Sequence, residues 1–407
     1  MVFLPVVAGM ALLALLFVQW GRSWERSRQR PPAPKRWPLV SIMVPAYNSP
    51  HLGETLRSLA ALDYPRKEIL VACDSPDPPR GLCKRYGAKL ITFPERQGKA
   101  IALNKAAKHA RGSILFSVDS DTVVAKDCLS QLVPWFADAS IAAVAPRFLV
   151  HKPRTLFERL STIEAAMNHS QLRTHMRFGT LLAFRGCGVA LRASAFRRLG
   201  GWPTTLAEDI DFSHALLRNG HRIQYEPAAL VSTREPPTVF DLQRQRVRWG
   251  RGAAYSFFSR KDQRYRRFLK SPQFIIYFAH ALLLFFALSG FFVWQLSLTA
   301  LPVLTLTLLS ALAPAQALAI VGKSAGLLFS EVYLTAFLAA LLHVAILIAP
   351  ATISPRPSGG GSWAREYIWL LPWLVLVPLS LLFYAQGALI GIRDKRRRRR
   401  ELDFKYW

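Results

Sequence analysis

Residues 113–121 read Ser-Ile-Leu-Phe-Ser-Val-Asp-Ser-Asp, a short apolar run that ends in two aspartates one residue apart. A brief β-rich run of this kind, bounded by polar residues, is the pattern of a strand buried in a sheet. The two acids then fall in the turn after the strand, at the carboxyl edge where ligands of α/β sheets bind. Asp119 and Asp121, at i and i+2 of that turn, can bring carboxylate oxygens around one hard divalent cation. Mg2+ or Mn2+ suits such a pair, because these ions bind through one or two carboxylates plus the phosphates of a substrate. Asp and Ser are also ordinary turn residues, so the pair takes its meaning from its surroundings.

Similar runs lie upstream at residues 40–44, 68–73 and 89–93, alternating with helical stretches at 51–62, 98–110 and 126–137. That alternation predicts an α/β domain over residues 39–235, with a mostly parallel sheet and helices on both faces. The first run ends in Val44-Pro45-Ala46-Tyr47-Asn48 and the second in Cys73-Asp74-Ser75-Pro76-Asp77, which puts Tyr47 and Asp74 at the same edge as Asp119. Arg96-Gln97-Gly98-Lys99 stands just before a helix, where backbone N–H groups and Lys99 can meet phosphate. Glu208-Asp209-Ile210-Asp211 opens another helical stretch, and acids in a first turn also serve simply to complement the helix dipole. In Gln245-Arg246-Val247-Arg248-Trp249, Arg248 can bind diphosphate and Trp249 can offer a flat face to a sugar ring. The plainer reading of that pentapeptide is an Arg/Trp helix at a membrane interface.

The whole chain of 407 residues is 51% hydrophobic and yet carries a net charge of +28. The two are reconciled by segregation, with apolar stretches in lipid and basic residues beside it. Basic clusters flank hydrophobic spans rather than forming one recognition module, so the charge follows the positive-inside rule and no nucleic-acid partner is expected. Residues 1–21 read as an uncleaved transmembrane anchor with its N-terminus outside, since the arginines follow the apolar span instead of preceding it. Residues 22–38 form a basic, Pro-rich linker. Residues 236–270 read as interfacial amphipathic helices, as does 155–178, and residues 271–392 as four transmembrane helices near the ~20 residues a bilayer requires. Five crossings return the basic tail, residues 393–407, to the side of the catalytic domain. The expectation is a multi-pass protein of the cell membrane with a cytoplasmic domain. Cys73, Cys83, Cys128 and Cys187 form no C-x-x-C pair, which predicts neither a zinc site nor a disulfide framework.

The order V-P-A-Y-N, Asp74, D-S-D, E-D-x-D and Q-x-x-R-W resembles the membrane synthases of glycosyltransferase family 2, which make cellulose, chitin, hyaluronan and poly-N-acetylglucosamine. The resemblance runs from about residue 40 to 252, with an anchor before it and helices after. It implies a GT-A nucleotide-sugar domain joined to an α-helical transmembrane region, with one-step inversion at the anomeric carbon. By the same resemblance Tyr47 and Asp74 hold the nucleoside, Lys99, Asp119 and Arg248 contact the diphosphate, and Asp121 with Asp119 ligates Mg2+ or Mn2+. Asp209 is the implied general base, and Glu208, Gln245 and Trp249 serve the acceptor and close over it. Two positions depart from the pattern. Cys73-Asp74-Ser75-Pro76 stands where two adjacent aspartates and a glycine are common, which brings Asp77 into consideration. Ala207 stands where Thr is common before Glu208.

The expected activity is hexosyl transfer from a nucleotide sugar, UDP-linked, in processive synthesis and export of a β-linked polysaccharide. The alternative is transfer of a single sugar to a membrane lipid acceptor. A transporter or basic scaffold without chemistry would leave the ordered aspartates without a purpose.

Overall fold

A computed structural model describes residues 31–259, Pro94 apart, and 370–396. Eight strands form one sheet in the order β3-β2-β1-β4-β7-β6-β8-β5. They are β1 (Val40–Ala46), β2 (Lys67–Cys73), β3 (Lys89–Thr92), β4 (Ile114–Val118), β5 (Val123–Val124), β6 (Ile141–Val150), β7 (Gly188–Arg192) and β8 (Arg222–Thr233). The strands read from the sequence, β1 to β4, are parallel to one another. Beyond them the sheet is mixed: β7 runs antiparallel to both β4 and β6, β6 and β8 are parallel, and β5 is antiparallel to β8.

Every residue of β1 and β4 is buried, which is why these strands read as near-continuous apolar runs, interrupted by Ser41 and Ser117, instead of alternating ones. One face is covered by α1 (Leu52–Ala60), the short α4 (Cys128–Leu132) and a 3-10 turn, Val133–Ala137. Leu56, Leu59 and Leu129 pack there against Ile42, Val44, Val71 and Phe116. The opposite face holds α3 (Lys99–His109), whose Leu103 and Ala106 join Met43, Leu70 and Leu115, with Phe196, Trp202 and Phe212 completing the layer. Also in the domain are α2 (Arg80–Arg85), α6 (Ala193–Arg198) and α7 (Glu208–Arg218). Ala46 pairs with Cys73 in register, and Val118 with Gly188. Strands β1, β2 and β4 therefore deliver Tyr47, Asp74 and Asp119 to one edge.

Helix α5 (Leu156–His175) starts with a capping box, in which the Glu158 N–H donates to Thr155 Oγ1 at 3.3 Å and the Thr155 N–H to Glu158 Oε2 at 2.8 Å. It differs from the interfacial helix expected over 155–178. Its inner side is deep in the domain, burying Leu160, Ile163 and Met167 together with His169, Ser170 and Arg173.

Helix α8 (Val239–Ser259) carries the Q-x-x-R-W residues and lies against α9 (Leu370–Arg396). Glycines let the two backbones touch. A side-chain carbon at Gly250 would collide with the Tyr384 carbonyl, and one at Gly387 with the Val247 carbonyl. Among the described residues no helix is long and apolar enough to cross a membrane. The expected anchor, three of the four later spans and the end of the basic tail lie outside the described residues. Residues 370–392 of the last expected span are helical within α9.

Candidate active site

The carboxyl edge of the sheet opens on a cavity of about 1030 Å³. Eight of the residues singled out from the sequence line it: Lys99, Asp119, Asp121, Glu208, Asp209, Gln245, Arg248 and Trp249. Tyr47 and Asp74 are not part of that lining. Tyr47 is 38% exposed, with the Arg96 guanidinium 4.1 Å over its ring. Asp74 is buried, and its Oδ2 accepts the N–H groups of Gln97 at 2.8 Å and Gly98 at 3.1 Å. Asp74 thus anchors the loop that leads into α3, and Gly98 adopts φ +86° there, a conformation that costs glycine nothing sterically.

Lys99, the first residue of α3, is the hub of the charged end. Its Nζ is 2.7 Å from Asp119 Oδ1 and 3.4 Å from Glu208 Oε1, and it donates to the Gly186 carbonyl at 3.4 Å. Burial works against this ammonium, but the charges of Asp119 and Glu208 outweigh it and raise the pKa of Lys99. Burial likewise pushes the Asp119 carboxyl up; Lys99 pulls against the rise and Asp121 adds to it. Asp121 accepts the Thr233 hydroxyl at 3.0 Å.

Asp209 is the second residue of α7. Ala207 is the N-cap, with no side-chain cap bond, so neither Glu208 nor Asp209 caps the helix. Asp209 Oδ1 accepts the Ile210 N–H at 2.8 Å and Oδ2 accepts the Gly186 N–H at 3.0 Å. Burial pushes its carboxyl up to about 6, the Glu208 charge adds to the rise, and Lys99 opposes it. A carboxylate poised there can accept a proton near neutral pH.

Asp119 and Asp121 present hard oxygen donors beside a basic side chain. Among the described residues no three His, Cys, Asp or Glu side chains gather as a self-sufficient metal cage. Two carboxylates at an open cavity fit Mg2+ or Mn2+ completed by phosphate oxygens and water. Cys187 also lines the cavity, but burial pushes its thiol up to about 12, away from nucleophilic reactivity. All four cysteines are free thiols.

The far end contains residues that motif reading missed. Glu235, just beyond β8, lies 3.8 Å from Arg185 and accepts from Gln245 at 3.4 Å. Arg246, fully buried, binds Glu164 of α5 and donates to Ser380 of α9 at 3.2 Å. Tyr384 of α9 closes the wall, its ring centroid 6.2 Å from that of Trp249. The available signals were an acid placed directly before Pro236-Pro237 and the i, i+4 pair Gly387 and Gly391.

Residues 38–252 match the model of the family described as Glycosyltransferase like family 2. Poly-beta-1,6-N-acetyl-D-glucosamine synthases of Staphylococcus epidermidis and Staphylococcus aureus are 30% identical over 222 residues, which is 52% of this chain and 54% of theirs. The chain thus spans about half the length of these curated relatives. Its fold is similar to that of a mannosyltransferase from Pyrobaculum calidifontis solved with GDP-Man and Mn2+, at a TM-score of 0.52 and 23% identity, over 86% of this chain and 97% of that one. That likeness supports a GT-A-like mixed α/β fold. The family match covers more than half of the chain and includes every site residue from Tyr47 to Trp249, and on that match the chain belongs to the glycosyltransferase family 2-like proteins and is a glycosyltransferase.

Proposed function

We propose that this chain is an inverting membrane glycosyltransferase that extends a β-linked polysaccharide from a UDP-linked sugar. One observation carries the reading: a single cavity holds an acidic pair with Lys99 at one end and a raised-pKa carboxylate, Asp209, facing the same space. Tyr47 and Asp74 hold the nucleoside at the sheet edge. Arg248 has no acidic partner among the described residues and binds the diphosphate, a task to which a guanidinium's planar donors suit it. Asp121 and Asp119 would hold a divalent cation, which when bound would neutralise charge on the departing diphosphate. Asp209 accepts the proton of the acceptor hydroxyl as that oxygen bonds to the anomeric carbon. The bond from that carbon to the diphosphate breaks on the opposite face, so the configuration inverts and the nucleoside diphosphate leaves. Glu208 keeps Lys99 between the two acidic groups, and Gln245 and Trp249 receive the acceptor.

The membrane assignment rests on the apolar spans and their basic flanks. The polymer assignment is supported by the wall that α8 and α9 form beside Trp249, where the acceptor meets a helix from the last apolar segment. The named relatives make N-acetylglucosamine the first donor to test. Membranes holding the full chain are incubated with UDP-N-acetylglucosamine and Mn2+, with the enzyme far below the donor. Long β-linked chains in the presence of unextended primer support processive synthesis. A single sugar extracted with lipid transfers the reading to the lipid acceptor, and an α-linkage overturns inversion by Asp209.

A further inference from the structure

Glu235 is a buried acid, 8% exposed, without a part in the chemistry above. It stands where β8 ends and Pro236-Pro237 leads into α8. A carboxylate is kept out of water at a large desolvation cost unless cations or donors meet it. Two do so here, from separate elements. Arg185 Nη1 lies 3.8 Å from Oε1, and Gln245 Nε2 donates to Oε2 at 3.4 Å. Gln245 Oε1 accepts from Arg246 at 3.0 Å, which ties the junction to α5 and α9 through Glu164 and Ser380.

Arg185 is the side chain this junction aims. Its guanidinium rests 4.4 Å over Phe148 and 5.6 Å from the Trp249 ring centre, and it lines the cavity. The next residue, Gly186, donates its N–H to Asp209. Arg185 therefore presents donors beside the Trp249 ring, in the cavity that also holds the proposed base, with one distant carboxylate using part of a five-donor fork.

We propose that Arg185 contacts the acceptor sugar at Trp249, and that Glu235 is the positioning residue that holds Arg185 and Gln245 for it. The inference rests on the roles proposed above for Asp209 and Trp249. The test uses the full chain in membranes with UDP-N-acetylglucosamine, Mn2+ and a short β-1,6-linked N-acetylglucosamine oligomer as acceptor. Glu235→Gln, Arg185→Met and the double variant are compared with the wild type. Each single change should raise the acceptor KM roughly ten- to hundredfold, the worth of a charged hydrogen bond, and leave the affinity for UDP with Mn2+ unchanged. The double variant should be no worse than the weaker single one.

Independent, multiplying losses overturn the proposal, as does an unaltered acceptor KM or a parallel loss of UDP affinity. If Glu235→Gln fails to accumulate, Arg185→Met and Arg185→Lys decide: Lys must recover part of the lost acceptor affinity, and equal values for the two overturn it. A wild-type chain inert toward every nucleotide sugar sinks the proposed function itself. An active wild type with unaffected variants sinks only this inference.

Discussion

Replacing Asp209 by Asn should remove a stability penalty that the wild type meets as pH rises, while stopping its chemistry. Burial and the Glu208 charge raise the Asp209 carboxyl from 3.8 to about 6. About two pKa units at ~1.4 kcal/mol each set an upper value of ~3 kcal/mol against the ionised form in the folded state. The carboxylate faces an open cavity, so solvent screening reduces this to about 1–2 kcal/mol. The sign follows from linkage. Below about pH 4 the group is protonated in both folded and unfolded chains and there is no penalty. The penalty grows as pH rises from ~4 to ~6, and above that it is complete. Asn carries no charge to bury, but its amide NH2 replaces one of the two oxygens that accept the Ile210 and Gly186 N–H groups, a loss that does not vary with pH. The Tm of the variant relative to the wild type should therefore rise by roughly 2–6 °C between about pH 4 and pH 7.5. Tryptophan fluorescence during thermal unfolding of the detergent-solubilised chain, which has 11 Trp, reads this directly at both pH values. The same variant should lose roughly 10²–10⁴-fold in turnover with UDP affinity unchanged. A stability difference between variant and wild type that is independent of pH, or that falls as pH rises, would refute the reasoning about this carboxylate.

Three other outcomes follow from the same geometry. Because the proposed base must be ionised, kcat/KM should fall about tenfold per pH unit below roughly 6, and a pH profile flat down to 5 would contradict the assignment. Activity should vanish in EDTA and return with Mn2+ or Mg2+, and Asp121→Ala should weaken UDP binding as well as turnover, measured by calorimetry with the metal present. Gly387→Ala places a methyl group against the Val247 carbonyl and should destabilise the α8–α9 contact by about 1–3 kcal/mol. Gly53→Ala, whose nearest neighbour would be Leu82 at an ordinary 3.6 Å, provides the thermal-unfolding control.

Much of the nucleotide half of the domain was legible because its physics is local. Strands β1 and β4 and most of β2 are buried and read as largely apolar runs, each followed by a polar residue at the carboxyl edge of the sheet. The second half was harder to read. Pro146 in β6 and Pro227 in β8 argue against central strands, yet the ladder between these strands shifts register at Pro146 and Arg147, which accommodates both prolines. The reversal at β7, which turns a parallel sheet into a mixed one, follows the intervening α5, whose amphipathic pattern is equally that of an interfacial helix. At the site, the acids stood at recognisable spacings, but their partners came from remote segments. Lys99 reaching Asp119 and Glu208 is a tertiary event, as is Glu235 meeting Arg185, 50 residues away in sequence order. The approach of α9 to α8 depends on Gly250 and Gly387, which are too far apart for any periodicity to connect.

The central claim is metal-dependent transfer of a sugar from a nucleotide donor. Its most direct test is a panel of radiolabelled UDP- and GDP-sugars supplied to the purified full chain with Mn2+, in parallel with Asp209→Asn, followed by sizing of the labelled product. The account predicts that one UDP-sugar is incorporated into high-molecular-weight, β-linked material by the wild type, and that neither Asp209→Asn nor the wild type in chelator incorporates label. No incorporation from any donor, or equal incorporation by wild type and Asp209→Asn, would contradict it.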